Sequence, residues 1–553
     1  MRYELSGSEV LERLRRVVAE EGHLEAADVD RISAELGLPR AHINGTASFF
    51  SDLAPTPRGR RHVRLCSGTA CLVAARGGAG ALQSPERLGA PLGGISADGS
   101  VSTQPVHCVG YCYAGPAALD GEDAHAGVDL ADQLLGEAPR RDPDIPYSAD
   151  VPEPVVLAGL VGSGPDSWGV WPDVVRAGDR VRVAREVAAS RLRGRGGAGF
   201  PAAVKWAAAS EAKSDGPSYV VCNGDEGDPG SFVDRLLMER DPHRVLEGMA
   251  LAAYVARADH GFVYVRSEYP RARDALLRAV DEAREAGHLS ADVHGSGISF
   301  DVEIFEGAGS YVAGEETSLL QSIEGLRGEV GIRPPFPAER GLLNRPTVVN
   351  NVETLCAVPW IVERGGEAYA RLGVADSAGT KVVSLNERFR RPGAYEVELG
   401  LPLRDICDRL GGGLKDGRAL RCVQVGGPLG GFLTADQLDV PLTFEALAEL
   451  GVDLGHGSLI AIDEGPSGAD LLRHMWEFAA SESCGACAPC RIGSRRGLEA
   501  AERLADASGS LPSSYTALLE TMESASLCSF GTSIPQAVRT LASAYADELA
   551  VGP

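Results

Sequence analysis

Eight of the twelve cysteines fall into two tight groups, and thiols so arranged ligate metal or do redox chemistry. The first group is Cys66-x4-Cys71 with Cys108-x3-Cys112. Four soft thiolates suit zinc or an iron–sulfur cluster, and structural zinc favours short two-residue gaps between paired cysteines. The longer gaps here point to a two-iron cluster. The second group lies in residues 482–491, Glu-Ser-Cys-Gly-Ala-Cys-Ala-Pro-Cys-Arg, which place Cys484, Cys487 and Cys490 on one loop with Cys528 farther along. Cys-x2-Cys-x2-Cys with a distant fourth wraps a 4Fe–4S cubane, three corners from one loop and the last from another. Cys222, Cys356, Cys407 and Cys422 are scattered and read as small buried hydrophobes.

Glycine-rich segments carry the second signal. Residues 193–201, Arg-Gly-Arg-Gly-Gly-Ala-Gly-Phe-Pro, satisfy G-x-G-x-x-G. That fingerprint binds a dinucleotide only after a strand and at the opening of a helix. Residues 181–192 look helical instead, so a Rossmann βαβ reading of this loop fails on context. What remains is bare backbone N–H groups able to approach a phosphate or a planar ring, with Lys205 as a nearby charge. Residues 223–230, Asn-Gly-Asp-Glu-Gly-Asp-Pro-Gly, follow an apolar run, and polar side chains at a strand's carboxyl end are where α/β sheets bind ligands. Residues 307–316 (Gly-Ala-Gly-Ser-Tyr-Val-Ala-Gly-Glu-Glu), 333–337 (Arg-Pro-Pro-Phe-Pro) and 350–354 (Asn-Asn-Val-Glu-Thr) complete the set. Together with two thiol clusters they argue a flavin and pyridine-nucleotide site wired to iron–sulfur centres.

The elements that must position these residues follow from pattern. Leu11, Leu14, Val17 and Val18 mark one helix, and Ala27, Val29, Ile32 and Leu36 a second that ends before Pro39. Residues 62–66 and 105–109 read as strands that each deliver a cysteine. Residues 137–154 hold five prolines among charges, a linker composition. From about 176 to 375 strands (219–222, 261–266) alternate with helices (242–258, 270–287), which argues an α/β domain. Short strands and glycines fill 380–465, and the chain is helical after 468. Its 553 residues carry 53 basic and 77 acidic side chains, a net charge of −24 that disfavours nucleic acid and anionic lipid. A hydrophobic content of 44% says globular. No apolar run approaches the roughly 20 residues of a membrane helix, and residues 1–7 hold no apolar leader, so the expectation is a soluble, cytoplasmic protein without direct membrane insertion.

On these motifs the chain resembles a known family. Residues from about 165 onward look like the NADH-binding flavoprotein subunit of respiratory complex I and its relatives in NAD-reducing hydrogenases and NAD-dependent formate dehydrogenases. Residues 1 to about 140 look like the separate 24-kDa-type subunit, here fused into the same chain. The resemblance implies an α/β multidomain chain. Its expected parts are an N-terminal helical segment (1–58), a thioredoxin-like 2Fe–2S domain (59–140), a linker (141–165), a Rossmann-like FMN- and NAD-binding domain (166–378), a ubiquitin-like β-grasp module (379–465) and a helical 4Fe–4S domain (466–553). It implies FMN held by Gly194, Arg195, Gly196, Gly197, Lys205, Asn223, Asp225, Tyr311, Gly314, Asn350, Asn351 and Thr354. NAD(H) would stack near Phe200 and Phe336, with Glu226, Asp228, Glu315, Glu316 and Arg333 around it, Glu226 and Asp228 being the catalytic candidates. Either glutamate of the 315–316 pair, taken singly, could equally cap a backbone amide. Asp228 and Arg333 stand where the family usually carries Glu and Lys, and Ala208 replaces an aromatic.

The chemistry so implied needs no nucleophile, only stacking geometry and electrostatic tuning. No ligand set for molybdenum, tungsten or nickel–iron can be assembled from the remaining residues. The other half-reaction must therefore lie on a large catalytic partner, a molybdenum or tungsten formate dehydrogenase on the fused architecture and the wording of residues 484–493 (Cys-Gly-Ala-Cys-Ala-Pro-Cys-Arg-Ile-Gly), or else hydrogenase subunits or complex I. Residues 225–230 and 425–431 resemble the formate dehydrogenase and hydrogenase relatives alike. A relay that keeps its clusters but has lost nucleotide turnover is the alternative of another class.

Overall fold

Three helices, Ser8–Glu21, Ala26–Leu36 and Arg40–Ala47, open the chain and close a small core around Leu11, Leu14, Val17, Val18, Val29 and Ile32. The spacing of those side chains puts them on one stripe of each helix. The segment is not free-standing. Phe305 and Ala308 join its core, and the amides of Ser51 and Asp52 donate to Gly309 O and Ala308 O at 3.0 and 3.1 Å. It thus grips the 307–310 glycine segment. The computed structural model describes residues 8–53, 57–76, 84–160, 164, 167–214, 216–505 and 511–549. The stretch 1–7 and part of the 141–165 linker lie outside the described residues.

A four-stranded sheet follows in the order Val101–Val106, Arg61–Cys66, Ala117–Asp120, Asp123–Ala126, its first pair parallel and the others antiparallel. Cys66 ends its strand as expected. The second strand stops at Val106, earlier than read, which leaves Cys108 on the loop beyond it. The proline-rich linker is not featureless. Tyr147–Ala149, bracketed by Pro146 and Pro152, pairs parallel with Gly393–Glu398. Prolines are tolerated there because the strand sits at a sheet edge. That sheet has six strands, in the order Gly431–Thr434, Leu420–Val425, Ser458–Asp463, Thr380–Leu385, Gly393–Glu398, Tyr147–Ala149. The small module and the linker are therefore one structural piece.

The middle of the chain forms a wholly parallel sheet, ordered Asp301–Glu306, Ala258–Val265, Ser218–Gly224, Thr347–Asn351. Its central strands are apolar on both faces because helices cover both. Helix Pro242–Ala256 is buried along nearly its whole length, and Gly248 lets it approach helix Val352–Arg364 closely: a Cβ there would fall 2.2 Å from Leu355 O. The chain starts in the sheet's interior, runs outward through Ala258–Val265 and Asp301–Glu306, and returns to the other side of Ser218–Gly224 as Thr347–Asn351. That reversal creates a switch point at the carboxyl ends of Ser218–Gly224 and Thr347–Asn351. Helices Gly468–Glu482, Ala488–Ala505, Tyr515–Ala525 and Ser529–Ala544 complete the fold. Among the described residues no helix is long and apolar enough to cross a membrane.

Candidate active site

Strand register puts Asn223 directly beside Asn351 at the switch point, so two of the predicted segments meet through backbone pairing alone. The 193–201 loop lies against them. It is preceded by helix Arg180–Ala189 and followed by helix Ala202–Glu211, the non-Rossmann context read from the sequence. Arg195 N donates to Thr354 Oγ1 at 2.8 Å, and a Cβ on Gly196 would come within 2.9 Å of Asn351 Cβ. Glycine is obligatory there for the loop to lie on the strand end. At Gly194 the reason differs: a Cβ would meet no protein atom closer than 3.6 Å, so the space beside it is open. Asn223 Nδ2 donates to Gly314 O at 2.8 Å and joins the third glycine segment to the same cleft. Trp206 Nε1 donates to Asn350 Oδ1 at 2.7 Å.

A buried polar atom without a partner marks the same place. Asp225 Oδ2 has none and lies against Gly314. Buried carboxylate oxygens are normally paired, so this one suits a polar ligand such as the flavin. The buried Arg195 guanidinium is held elsewhere, by Tyr369 Oη and Ala378 O. Burial pushes Asp225 up to about 8, against the pull of Arg266. Lys205 Nζ lies 2.9 Å from Glu316 Oε2 and 3.0 Å from Val349 O, and Arg333 Nη1 lies 3.2 Å from Glu316 Oε1. Phe200 and Phe336 are half exposed, as flat surfaces for a nucleotide would be.

Two of the acids do structural work. Glu226 is fully buried and accepts from Ser231 Oγ at 2.7 Å, Asp234 N at 3.0 Å and Arg235 N at 3.1 Å. It closes the amino end of helix Val233–Arg240, where a carboxylate is favourable. Glu315 likewise accepts from Thr317 N and Ser318 N and caps helix Glu316–Ile323. Asp228 has different company: Tyr311 Oη donates to its Oδ1, and His456 Nδ1 lies 2.8 Å from its Oδ2. His456 was not legible as a site residue, although its setting between Gly455 and Gly457 is a signal of close packing. Gly455 and Gly426 press together so tightly that a Cβ on the former would fall 2.4 Å from Gly426 O. These two loops of the six-stranded module thereby form one wall of the cleft.

The thiols of the first group lie close together. Cys108 Sγ lies 3.5 Å from Cys112 Sγ, and Cys66 contacts both Cys108 and Cys71. Two thiolates about 2.3 Å from one tetrahedral metal lie roughly 3.7 Å apart, so the 108–112 pair fits a shared iron. The 223–230 loop reaches these thiols directly, with Gly230 N 3.2 Å from Cys112 Sγ. Cys484 and Cys528 share a small apolar cluster with Val312 and Val330, and Cys490 Sγ lies 3.3 Å from Ser483 Oγ. Among the described residues no three His, Cys, Asp or Glu side chains gather as one metal ion would need. A two-iron cluster takes two cysteines per iron and a cubane one. Glu482, at the head of the second cysteine loop, accepts from Tyr311 N at 2.8 Å and lies 3.4 Å from His107, the neighbour of Cys108. One carboxylate thus touches the 307–316 glycine segment and both cysteine loops.

Comparison with known proteins decides the family. Three family models match: the thioredoxin-like [2Fe-2S] ferredoxin over residues 1–133, the Nuo51 FMN-binding domain over 187–360, and the NADH-ubiquinone oxidoreductase-F iron-sulfur binding region over 470–551. The HndC component of the NADP-reducing hydrogenase of Solidesulfovibrio fructosivorans is 42% identical over 65% of this chain and 73% of its own length. The chain belongs to the flavoprotein family of complex I and NAD-reducing hydrogenases. Within that family, the F component of the NADH-quinone oxidoreductase of Escherichia coli is 42% identical over 56% of the chain and 70% of its own length. The alpha component of the NAD-reducing hydrogenase HoxS of Cupriavidus necator is 33% identical over 89% and 83%. A crystal structure of an air-oxidised NAD+-reducing [NiFe]-hydrogenase superposes with a TM-score of 0.85 at 30% identity, over 99% of this chain and 95% of that one. The flavoprotein is therefore an NADH-oxidising flavin iron–sulfur oxidoreductase module that carries FMN, a 2Fe–2S and a 4Fe–4S cluster.

Proposed function

We propose that this chain is the diaphorase subunit of a cytoplasmic complex, exchanging electrons between NAD(H) and a large metal-containing partner. The observation that carries the reading is the switch-point cleft, whose own loops touch the ligands of one cluster (Gly230 on Cys112) and the loop of the other (Tyr311 on Glu482). FMN, when bound, takes a hydride from nicotinamide and releases the electrons singly, which is why both kinds of centre share a chain. The protein's part is placement. The 193–201 loop and Asn223, Asp225, Gly314, Asn350 and Asn351 hold the flavin, with Lys205 and its partner Glu316 at the mouth. Phe200 and Phe336 receive the nucleotide, and Asp228 lies on its path. Cys66, Cys71, Cys108 and Cys112 hold the two-iron cluster; Cys484, Cys487, Cys490 and Cys528 hold the cubane. None of the twelve cysteines is paired in a disulfide, which suits a reducing compartment.

For the partner, the fused architecture and the wording of residues 484–493 support a molybdenum or tungsten formate dehydrogenase. The end-to-end likeness to an NAD+-reducing hydrogenase supports the second reading, hydrogenase subunits. Mass spectrometry of the natively purified complex, with formate-driven and hydrogen-driven NAD+ reduction measured side by side, separates them. Formate-linked turnover with a large molybdenum or tungsten partner is the expected result. Hydrogen-linked turnover alone moves the assignment to the hydrogenase, and neither activity, with no large partner, removes both.

A further inference from the structure

The histidine on the module wall has a role that the nucleotide site needs. His456 lies at the tip of the 453–457 turn. Its Nδ1 is 2.8 Å from Asp228 Oδ2, and its Nε2 is 3.6 Å from Asp234 Oδ2 and 3.4 Å from Asn351 Nδ2. Asn351 Nδ2 in turn donates to Asp234 Oδ2 at 2.6 Å. The charged ring therefore ties the acidic loop 225–230 to Asp234 at the start of helix Val233–Arg240, and Asp234, accepting from Asn351 Nδ2, carries the link on to the end of strand Thr347–Asn351. With Tyr311 Oη on its other oxygen, Asp228 has both oxygens fixed. Gly427 leaves room for this: a Cβ there would fall 3.0 Å from Asp228 Cγ.

We propose that His456 is a positioning residue of the nucleotide site, holding Asp228 toward bound NAD(H) through a charged hydrogen bond. The proposal rests on the reading that Asp228 faces the nucleotide. The groups around His456 are Asp228, Glu226 and Asp234 from the loop and helix, Asn351 from the strand, Tyr311 from the glycine segment, and Lys381 with its partner Glu353 behind Gly457. Burial works against the charged imidazole, but the hydrogen bond and charge of Asp228, backed by Asp234 and Glu226, outweigh it and push His456 up to about 9. The clamp is therefore intact below that pH and is lost as pH rises through it.

The test is NAD+ binding to the oxidised, flavin-loaded full chain, measured by calorimetry from pH 6 to 10, for the native protein and for His456→Gln and Asp228→Asn. Expected are a native affinity that is flat to about pH 8 and falls above 9, and a His456→Gln variant that keeps FMN and iron, binds about tenfold more weakly at pH 7 and lacks the alkaline fall. Native-like affinity and pH profile in His456→Gln overturn the proposal. If Asp228→Asn binds NAD+ like the native chain, the reading of Asp228 fails first and takes the proposal with it. If His456→Gln sheds FMN, the native profile alone decides, because the absence of an alkaline limb near pH 9 refutes the charged clamp.

Discussion

Lys381 and Glu353 are each 1% exposed and form an ion pair that joins strand Thr380–Leu385 of the six-stranded sheet to helix Val352–Arg364. Glu353 follows Asn351 by two positions, on helix Val352–Arg364, and its Oε1 also accepts from Val382 N at 2.9 Å. Lys381→Met would leave that carboxylate buried with a single amide partner. Removing one member of a buried pair costs about 3–5 kcal/mol, because the surviving charge is neither solvated nor paired. At roughly 2–4 °C per kcal/mol for a domain of this size, the first thermal transition should fall by roughly 10 °C. Because the pair anchors the strand end that carries Asn350 and Asn351, FMN should be lost in the same step. The double variant Lys381→Met/Glu353→Gln removes the stranded charge and keeps an acceptor for Val382 N, so it should recover to within about 1 kcal/mol of native. Urea unfolding, with released FMN read by fluorescence, measures both effects. A single variant that loses less than about 1 kcal/mol, or a double variant no better than the single, refutes the reasoning.

Two further predictions concern charge. Glu315 caps its helix through Oε2 while its Oε1 lies 3.4 Å from Arg333, and Glu316 sits between Lys205 and Arg333, so Glu316→Gln should raise the NADPH-to-NADH ratio of kcat/KM by about tenfold, roughly 1.4 kcal/mol, with a smaller rise in Glu315→Gln. An unchanged ratio in Glu316→Gln would show that this acid does not gate the 2′-phosphate. His474 lies at the contact of the thioredoxin-like domain with the C-terminal helices, near Thr69 Oγ1, and burial, with His107 and Arg473 nearby, pushes it down to about 3. Its neutral form is the stable one, so stability should be full above about pH 6.5 and fall by about 2 kcal/mol by pH 5. His474→Gln should flatten that acid slope in thermal scans, and an identical slope would count against it.

Legibility in the sequence tracked how local each requirement is. Cluster ligands must lie within a few residues on one loop, so 66–71, 108–112 and 484–490 announce themselves. Glycine loops that lie on a strand end are equally local. The 141–165 segment hid a strand because three edge residues between prolines leave no alternating pattern. The helix-capping bonds of Glu226 and Glu315 were not legible, because an acid in a glycine loop reads the same whether or not it also meets the amides of the next helix. His456 was invisible for a different reason: it reaches Asp228 from 228 residues away, through a module whose own pattern says nothing about the cleft it walls.

The central claim is that NAD(H), flavin and both clusters are wired within this one chain. Low-temperature EPR of the isolated chain after NADH addition, on native protein and on Cys71→Ser and Cys487→Ser, tests it most directly. Native protein should contain about six iron atoms and show reduced 2Fe–2S and 4Fe–4S signals. Cys71→Ser should lose only the first, Cys487→Ser only the second, and both should keep FMN. Stoichiometric zinc in place of iron, or clusters that dithionite reduces but NADH does not, would contradict the account.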